Sequence, residues 1–255
     1  MLRSVDHIEL VVRALKESVA FYGALGFSLT RETDHHGVSV EMKLPGPGGL
    51  VLEMHEPGME ENIGINHVAY LVDDIEAAVA RLVESGARLE RGPVTAKHTG
   101  RRLANFRDPD GWRFQIVERS RAEASSPGTG SDGGGPMTRL DHIDLYTRGL
   151  EGTVAFYRQL GVEVRRELDH GGVRTVELEL ADRPPITLEF KQVGELRVIG
   201  INHLGFAVPD LDAAHAALSS RGYRFDYPPK VNQATGRRLC TARDPDGWRV
   251  QLTQA

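Results

Sequence analysis

"TGRRLANFRDPDGWRFQ", residues 99–115, returns as "TGRRLCTARDPDGWRVQ", residues 235–251. Within it, "DPDG" predicts a tight turn, because proline presets φ and glycine accepts a positive φ. Apolar and polar residues alternate after the turn, so we expect a β-hairpin whose last strand has one buried face. Both copies of the hairpin end on a glutamine, Gln115 and Gln251.

The rest of the chain is duplicated as well. "VDHIELVVRALKESVAFYGALGF" from Val5 aligns with "LDHIDLYTRGLEGTVAFYRQLGV" from Leu140. "IGINHVAYLV" from Ile63 aligns with "IGINHLGFAV" from Ile199. A repeat of this length indicates two domains of one design.

The domain boundaries follow from the repeat and from a change in composition. Residues 121–136 are rich in glycine, serine and proline and poor in apolar residues, which is typical of a flexible linker. We therefore predict a first domain over 1–120 and a second over 137–255.

Each copy is doubled internally. "HIELVV" and "HVAYLV" each read as a strand that precedes a helix, and three short β-type runs follow each helix. The predicted unit is βαβββ, which makes the fold class α+β with curved mixed sheets. Four such modules are expected, over 1–61, 62–120, 137–197 and 198–255.

Two helices of the first copy show clear signals in the sequence. The first is expected to bury one face and to end at Gly26, a residue suited to the left-handed conformation. That face comprises Leu15, Val19, Tyr22 and Leu25. For the second helix, Asp73 followed by Glu76 predicts a capping box.

The composition limits the class of protein. The chain has 255 residues, a net charge of −5, 40% hydrophobic residues and one cysteine, Cys240. The negative charge disfavours nucleic acid and anionic membranes as partners, and a lone cysteine forms no intrachain disulfide. With no signal-peptide pattern, we expect a soluble cytoplasmic protein, monomeric or homodimeric.

The strands carry polar residues on the face that points away from the helices. Because strand side chains alternate, His7 lies opposite the face formed by Ile8 and Leu10. The alternative reading of one such histidine is a satisfied core residue. The recurrence of the whole set favours a divalent-metal site instead. The expected ligands are His7, Glu53, His67 and Gln115, with His142, Glu189, His203 and Gln251 in the second copy.

The paired βαβββ modules, with a first-strand histidine and "DPDG" before the last strand, resemble the vicinal oxygen chelate superfamily. This group includes glyoxalase I, extradiol dioxygenases and bleomycin-binding proteins. The resemblance implies metal ligands at the eight positions named above. This chain departs from the pattern at Gln115 and Gln251, where most metal-bearing members have a carboxylate.

The resemblance implies a metal-dependent glyoxalase-like enzyme with lyase or isomerase chemistry on a small substrate with vicinal oxygens. A glutamine accepts no proton at neutral pH, so Glu53 and Glu189 are the expected catalytic bases. The metal would be Fe, Zn, Ni, Mn or Co. Two alternatives remain: an Fe(II)-dependent dioxygenase, whose extradiol branch has a tyrosine where Asn105 and Thr241 stand, and a metal-free small-molecule or antibiotic-binding protein.

Two further points stay open at this level. Arg101 and Arg237 are candidate substrate-binding residues, which would hold a carboxylate or phosphate, or else they are solvated strand ends. Glu9 and Asp144 are either acids that orient a ligand or exposed residues. The modules can also pair within a copy or across copies, which changes the ligand sets.

Overall fold

A computed structural model describes residues 1–34, 37–46, 49–59, 61–97, 100–118, 135–169, 172–182, 184–194 and 199–255. The predicted linker 121–136 lies outside these residues except for its last two positions. No helix in the described ranges combines the length and the apolar character that crossing a membrane requires.

The secondary structure confirms the α+β class and the βαβββ modules of the first copy. Its first module contains β1 (Val5–Val11), α1 (Leu15–Leu25), β2 (Ser28–Thr33), β3 (Ser39–Lys43) and β4 (Val51–His55). Its second module contains β5 (Gly64–Val72), α2 (Ile75–Glu84), β6 (Arg88–Thr95), β7 (Arg102–Arg107) and β8 (Arg113–Glu118).

The second copy repeats this order. Its first module contains β9 (Arg139–Thr147), α3 (Leu150–Gln159), β10 (Glu163–Asp169), β11 (Arg174–Leu180) and β12 (Ile186–Gln192). Its second module contains β13 (Gly200–Val208), α4 (Leu211–Ser220), β14 (Phe225–Val231), β15 (Arg238–Arg243) and β16 (Arg249–Gln254).

Each copy forms one eight-stranded mixed sheet. The strand order is β2-β3-β4-β1-β5-β8-β7-β6 in the first copy and β10-β11-β12-β9-β13-β16-β15-β14 in the second. β5 and β8 run parallel, as do β13 and β16, while the hairpins are antiparallel. Each sheet therefore contains the strands of one copy only, and which modules form a site together stays a prediction.

The chain also divides into two compact units, each with one module from each copy. Unit 1 comprises the described residues within Met1–Ile8, His67–Ser126 and Ile143–Asn202, so it holds β6–β8 with α2 and β10–β12 with α3. Unit 2 comprises those within Glu9–Asn66, Pro127–His142 and His203–Ala255, so it holds β2–β4 with α1 and β14–β16 with α4. The domain boundaries at 120 and 137 stay a prediction.

The buried face of α1 differs from the predicted one. Phe21 is buried, whereas Val19 and Leu15 are half-buried. Phe21 makes edge-on contacts, with ring centroids 5.1 Å apart, to both Tyr22 and Tyr223 of α4's module. Aromatic pairs of this kind stabilise a helix beyond the area that they bury. The buried face of α1 therefore includes Phe21 in place of the predicted Val19.

The helix cap of α2 lies one residue after the predicted one. The side chain of Asp74 accepts a hydrogen bond from the backbone N–H of Ala77, while Asp73 binds Arg3 instead. The predicted capping box from Asp73 is therefore wrong. Asp210 caps α4 in the same way, with Ala213 as donor.

The "DPDG" turns are closed by their first aspartate. Asp108 Oδ1 accepts hydrogen bonds from the N–H groups of Asp110 (3.0 Å) and Trp112 (2.8 Å). Asp244 Oδ1 binds the N–H groups of Asp246 and Trp248 at the same two distances. Burial raises the pKa of both Asp108 and Asp244 to about 6, although these backbone hydrogen bonds oppose the rise.

Each turn also docks on the other copy within its unit. In unit 1, Asp110 accepts hydrogen bonds from the hydroxyl of Thr153 (3.0 Å) and the N–H of Arg148 (3.3 Å). In unit 2, Asp246 accepts one from the N–H of Arg13 (2.9 Å), and Asp244 accepts one from the Tyr22 hydroxyl (3.2 Å). The repeated turn thus joins the modules of each unit.

The tryptophan that follows each turn packs against a glycine, which explains why no larger residue occurs at that position. A Cβ added at Gly200 would lie 2.3 Å from the Trp112 ring, and one at Gly64 would lie 2.3 Å from the Trp248 ring. Both glycines also have positive φ, 110° and 132° respectively. Only glycine satisfies the close approach and the backbone conformation together.

Candidate metal centre

The first two predicted ligands of the first copy lie together in unit 1. His7 on β1 and His67 on β5 are both buried, and their ring centroids are 5.4 Å apart with planes inclined by 78°. The imidazole of His7 thus pairs with His67 of its own copy. Two imidazoles from neighbouring strands at this separation are suited to sharing one cation.

Gln115 joins this group through the register of β8. It lies opposite Ala69 of β5, so the side chains of Gln115 and Ala69 are on the same face of the sheet. His67 is two residues before Ala69 and lies on that face as well, because strand side chains alternate between faces. Gln115 Nε2 donates to Asn105 Oδ1 at 2.9 Å. Gln115 Oε1 is buried and accepts no hydrogen bond from any residue within the described ranges, so it is an oxygen donor suited to a cation.

A carboxylate orients the first histidine. His7 Nδ1 donates to Asp6 Oδ2 at 2.9 Å, and Arg101 Nη1 donates to the same oxygen at 3.0 Å. This contact directs Nε2 away from Asp6, as is usual for histidine ligands of metals. The sequence analysis missed Asp6, although the recurrence of "DHI" in both copies could have revealed it.

The second copy repeats this contact in unit 2. His142 Nδ1 donates to Asp141 Oδ2 at 2.8 Å, and Arg237 donates to the same oxygen. Burial alone would raise the pKa of Asp141, but His142 and Arg237 hold it well below its usual range. Arg101 and Arg237 therefore both bind the carboxylate behind a histidine, and their contact with a substrate stays a prediction.

The imidazole pair of the second copy is closer than that of the first. His142 Nε2 and His203 Nε2 form a hydrogen bond of 3.1 Å, with ring centroids 5.2 Å apart. Gly205 makes this position of His142 possible, because a Cβ there would lie 1.9 Å from His142 Cε1. Ala69 is the equivalent residue of the first copy.

Gln251 occupies the position in the second copy that Gln115 occupies in the first. It is buried and lies opposite Gly205 on one side and Thr241 on the other. The hydroxyl of Thr241 hydrogen-bonds to that of Tyr227 at 2.8 Å. Ligation by Gln251 stays a prediction.

The two predicted catalytic glutamates lie on equivalent strands. Glu53 on β4, in unit 2, lies opposite Glu41, which binds Arg31. Glu189 on β12, in unit 1, lies opposite Glu177. Arg166 donates two hydrogen bonds to Glu177, at 2.6 and 2.8 Å. In both copies an arginine neutralises the carboxylate beside the candidate base.

The environment of Glu189 contains a lysine that the sequence analysis missed. Lys191 Nζ contacts Glu189 Oε2 at 3.4 Å and also binds Asp144. Burial alone would lower the pKa of Lys191, but the carboxylates of Asp144 and Glu189 outweigh it and raise the pKa. The ammonium group is therefore charged at neutral pH.

The first copy has His55 at the position of Lys191. Its Nε2 donates to Glu9 Oε1 at 3.2 Å, and Nδ1 lies 3.0 Å from the carbonyl oxygen of Glu56. Glu9 thus contacts His55, and Asp144 contacts Lys191. The carboxylates that contact Nδ1 of the first-strand histidines are Asp6 and Asp141 instead.

Within the ranges that the structure describes, no three His, Cys, Asp or Glu side chains form a group that could hold a metal ion. Gln115, whose buried Oε1 has no hydrogen-bond partner among these residues, is an amide and so a residue type outside that set. Ligation by Glu53 stays a prediction.

The family model of the Glyoxalase/Bleomycin resistance protein/Dioxygenase superfamily matches residues 4–116 and 139–252. The Escherichia coli protein YaeR is 33% identical over 127 residues, which are 46% of this chain and 98% of that protein. A probable lactoylglutathione lyase from Synechocystis sp. is 28% identical, over 45% of this chain and 94% of the relative. Such relatives therefore correspond to about one copy.

A solved structure shares the fold of the whole chain. The Mn(II)-bound glyoxalase from Novosphingobium aromaticivorans aligns with a TM-score of 0.78 and 18% identity, covering 99% of this chain and 82% of that one. Its strand architecture is thus the same. Because the family model matches both copies over nearly their full length, the chain belongs to the Glyoxalase/Bleomycin resistance protein/Dioxygenase superfamily.

Proposed function

We propose that this chain is a metal-dependent glyoxalase-like enzyme that moves a proton between adjacent carbons of a small substrate with vicinal oxygens. The observation that carries the proposal is the buried group of His7, His67 and Gln115. One imidazole is oriented through Nδ1 by Asp6, and the amide oxygen of Gln115 is buried without a hydrogen-bond donor among the described residues.

The donor atoms fit a divalent cation of the first transition series. Imidazole nitrogens, an amide oxygen and the carboxylate of Glu53 form a mixed N/O set that Fe, Zn, Ni, Mn and Co all accept. Glu53 is included because it is the carboxylate at the position that the family resemblance assigns to a ligand. The equivalent residues of the second copy are His142, Glu189, His203 and Gln251.

A bound cation would supply Lewis-acid stabilisation of charge on two adjacent substrate oxygens. The chain's own contribution is the base. Glu53 in the first copy and Glu189 in the second are the only members of their sets that accept a proton at neutral pH without giving up an imidazole ligand. Gln115 and Gln251 then serve as neutral ligands.

The relatives suggest the substrate class. Several are named lactoylglutathione lyases, among them the Synechocystis sp. protein. Lactoylglutathione has the atoms of glutathione plus methylglyoxal, so its formation from their adduct is a redox-neutral shift of one proton between neighbouring carbons. Arg101, whose side chain is 21% exposed, is the proposed contact for a substrate carboxylate.

The test is turnover of methylglyoxal with glutathione, and of other 2-oxoaldehydes and thiols, followed by thioester absorbance. Activity is expected to disappear after chelation and to return with Mn²⁺, Co²⁺, Ni²⁺ or Zn²⁺. The double variant Glu53→Gln/Glu189→Gln should lose about 10²–10⁴-fold in kcat, the usual contribution of a general base.

Glu167→Gln is the matched control, because Glu167 is an exposed residue on β10 that contacts Arg174 and no predicted ligand. Undiminished turnover in the double variant would remove both glutamates from the mechanism. A protein that takes up none of these metals while binding aromatic ligands tightly would favour the metal-free binding protein instead.

A further inference from the structure

The outermost strand of each module places one side chain in line with a predicted ligand. In the second module of the first copy, Arg91 on β6 lies opposite Asn105 on β7, which lies opposite Gln115 on β8. Opposite residues share a face of the sheet, so these three side chains form a row on the face that carries His67. The row and His67 all belong to unit 1.

The row lies on a face of β7 that solvent reaches. Ala104 and Phe106 are buried, whereas Asn105 and Arg107, which alternate with them, are half-buried. Arg91 is exposed. Because the buried positions belong to the other face of the strand, a small molecule can approach the row without displacing the core.

The first modules of both copies also begin such a row with an arginine, and there a glutamate neutralises it. Arg31 lies opposite Glu41 and binds it. Arg166 lies opposite Glu177 and donates two hydrogen bonds to it, at 2.6 and 2.8 Å. The charge of each of these arginines is therefore balanced within its own row.

The row of Arg91 has no carboxylate. Its middle residue is Asn105, whose Oδ1 accepts a hydrogen bond from Gln115 Nε2 at 2.9 Å. Glu90, the nearest acid along the strand, binds Arg107 at 2.6 Å. Arg91 itself forms no ion pair with a residue in the described part of the chain, so its positive charge is available to a ligand.

The second copy has a tyrosine at the equivalent position. Tyr227 lies opposite Thr241, and their hydroxyl groups hydrogen-bond at 2.8 Å. Lys230 Nζ lies 3.7 Å from the centroid of the Tyr227 ring, a contact that stabilises the ammonium group. The row of Gln251 therefore begins with a neutral side chain whose polar group already has a partner.

An arginine without a carboxylate partner is suited to an oxyanion, because its planar guanidinium binds carboxylate and phosphate groups through paired hydrogen bonds. Arg101, the contact proposed above, shares its charge with Asp6, whereas Arg91 does not share its own. Neighbouring strands are about 5 Å apart, so β6 lies about 10 Å from β8. A group bound by Arg91 is thus remote from the predicted ligand Gln115.

We propose that Arg91 recognises a carboxylate or phosphate group of the substrate that is remote from its vicinal oxygens. Arg91 is then a specificity-determining residue of the first copy, and the substrate class is that of anionic compounds. This inference rests on the proposed function, because it takes Gln115 as part of the site.

The test compares two pairs of thiols whose members differ in negative charge: glutathione with its diethyl ester, and 4′-phosphopantetheine with pantetheine. Each thiol is assayed with methylglyoxal, and its unreactive S-methyl derivative is titrated by calorimetry, which measures binding without turnover. A preference within the first pair alone would identify a carboxylate as the recognised group, and within the second pair alone a phosphate.

The wild-type chain is expected to bind the anionic member of a pair about three- to fivefold more tightly, as one exposed charge pair allows. This preference should shrink as salt is added. Arg91→Gln should abolish it by raising KM for the anionic member while kcat stays within about twofold, the pattern of a lost binding contact. Arg91→Lys, which keeps the charge, should retain most of it.

Arg81→Gln is the matched control, because Arg81 is an exposed residue of α2 and its replacement changes the net charge by the same amount. This variant should keep the wild-type preference. Circular dichroism and thermal melting of every variant show that the fold is intact.

Two results would overturn the inference while turnover leaves the proposed function standing. One is an Arg91→Gln chain that keeps the full preference, and the other is a wild-type chain that binds both members of each pair equally. A wild-type chain that binds none of the four derivatives would also overturn the inference. A chain without turnover whose preference still depends on Arg91 would instead overturn the proposed function and support anion recognition by Arg91.

Discussion

The first copy has Ala69 beside Gln115 and His55 on β4, whereas the second has Gly205 beside Gln251 and Lys191 on β12. The two copies share the strand order and the carboxylate behind the first histidine. The comparison teaches that duplication preserves the architecture because the core depends on many residues. A site depends on few, so one or two substitutions change what it can bind.

The turns are where the copies remain alike. Both "DPDG" turns carry a buried aspartate, and both second aspartates bind a helix-preceding loop of the other copy. This symmetry is structural, since the turns join the modules within each unit. Three predictions follow from what the copies share and from how they differ, and they are ordered from the largest expected effect to the smallest.

The largest expected effect tests the shared feature. The pKa of Asp108 and Asp244 in the folded chain is about 6, against an unfolded value of 3.8. The folded state thus holds more protons between pH 4 and 6, and stability falls as pH rises through that window. Asp108→Asn and Asp244→Asn should each remove about 2–3 kcal/mol of this fall, since one pKa unit is about 1.4 kcal/mol.

The measurement is urea unfolding of the wild type and each variant from pH 4.5 to 7.5. The difference in free energy of unfolding should move in favour of the variants as pH rises, and by similar amounts for both. A difference that stays constant with pH would show that these carboxyls ionise normally in the folded chain.

The next effect sharpens the contrast between the copies. Asp6→Asn removes the charge that orients His7, and loss of such a partner typically weakens metal binding by about 10–100-fold. Asp141→Asn makes the same change behind His142. Co²⁺ affinity of the site that contains the altered histidine should fall in each variant, as isothermal titration would show. An unchanged affinity in one variant would mean that the copy it alters does not bind the metal.

The smallest effect concerns the glycine beneath His142. Gly205→Ala places a Cβ 1.9 Å from His142 Cε1, so the buried ring must move, at a cost of about 1–2 kcal/mol of stability. The reverse change, Ala69→Gly, adds no atom and should cost about 0.5–1 kcal/mol through backbone entropy. Thermal unfolding compares the two, and a harmless Gly205→Ala would show that His142 has another position available.

Much of the local structure follows from the sequence, because its causes are local. Strand alternation, glycines at helix ends and proline-glycine turns act over a few residues, and the βαβββ modules they predict are the ones observed. The errors have distant causes: the cap of α2 is Asp74, one residue later than predicted, since Asp73 binds Arg3 instead, 70 residues away in the chain. The face of α1 depends on Tyr223, a residue far away in the chain.

The sequence by itself determined that the chain consists of duplicated modules and that equivalent histidines, glutamates and glutamines recur on equivalent strands. Only the tertiary structure decided what those side chains contact: Asp6 and Asp141 behind the histidines, Lys191 beside Glu189, and Gly205 beneath His142. The physical reason is distance along the chain. A repeat can be recognised by comparing segments of the sequence. The contact of a side chain with a ring on another strand, or the space that a glycine leaves for that ring, depends on which strands are neighbours in the fold.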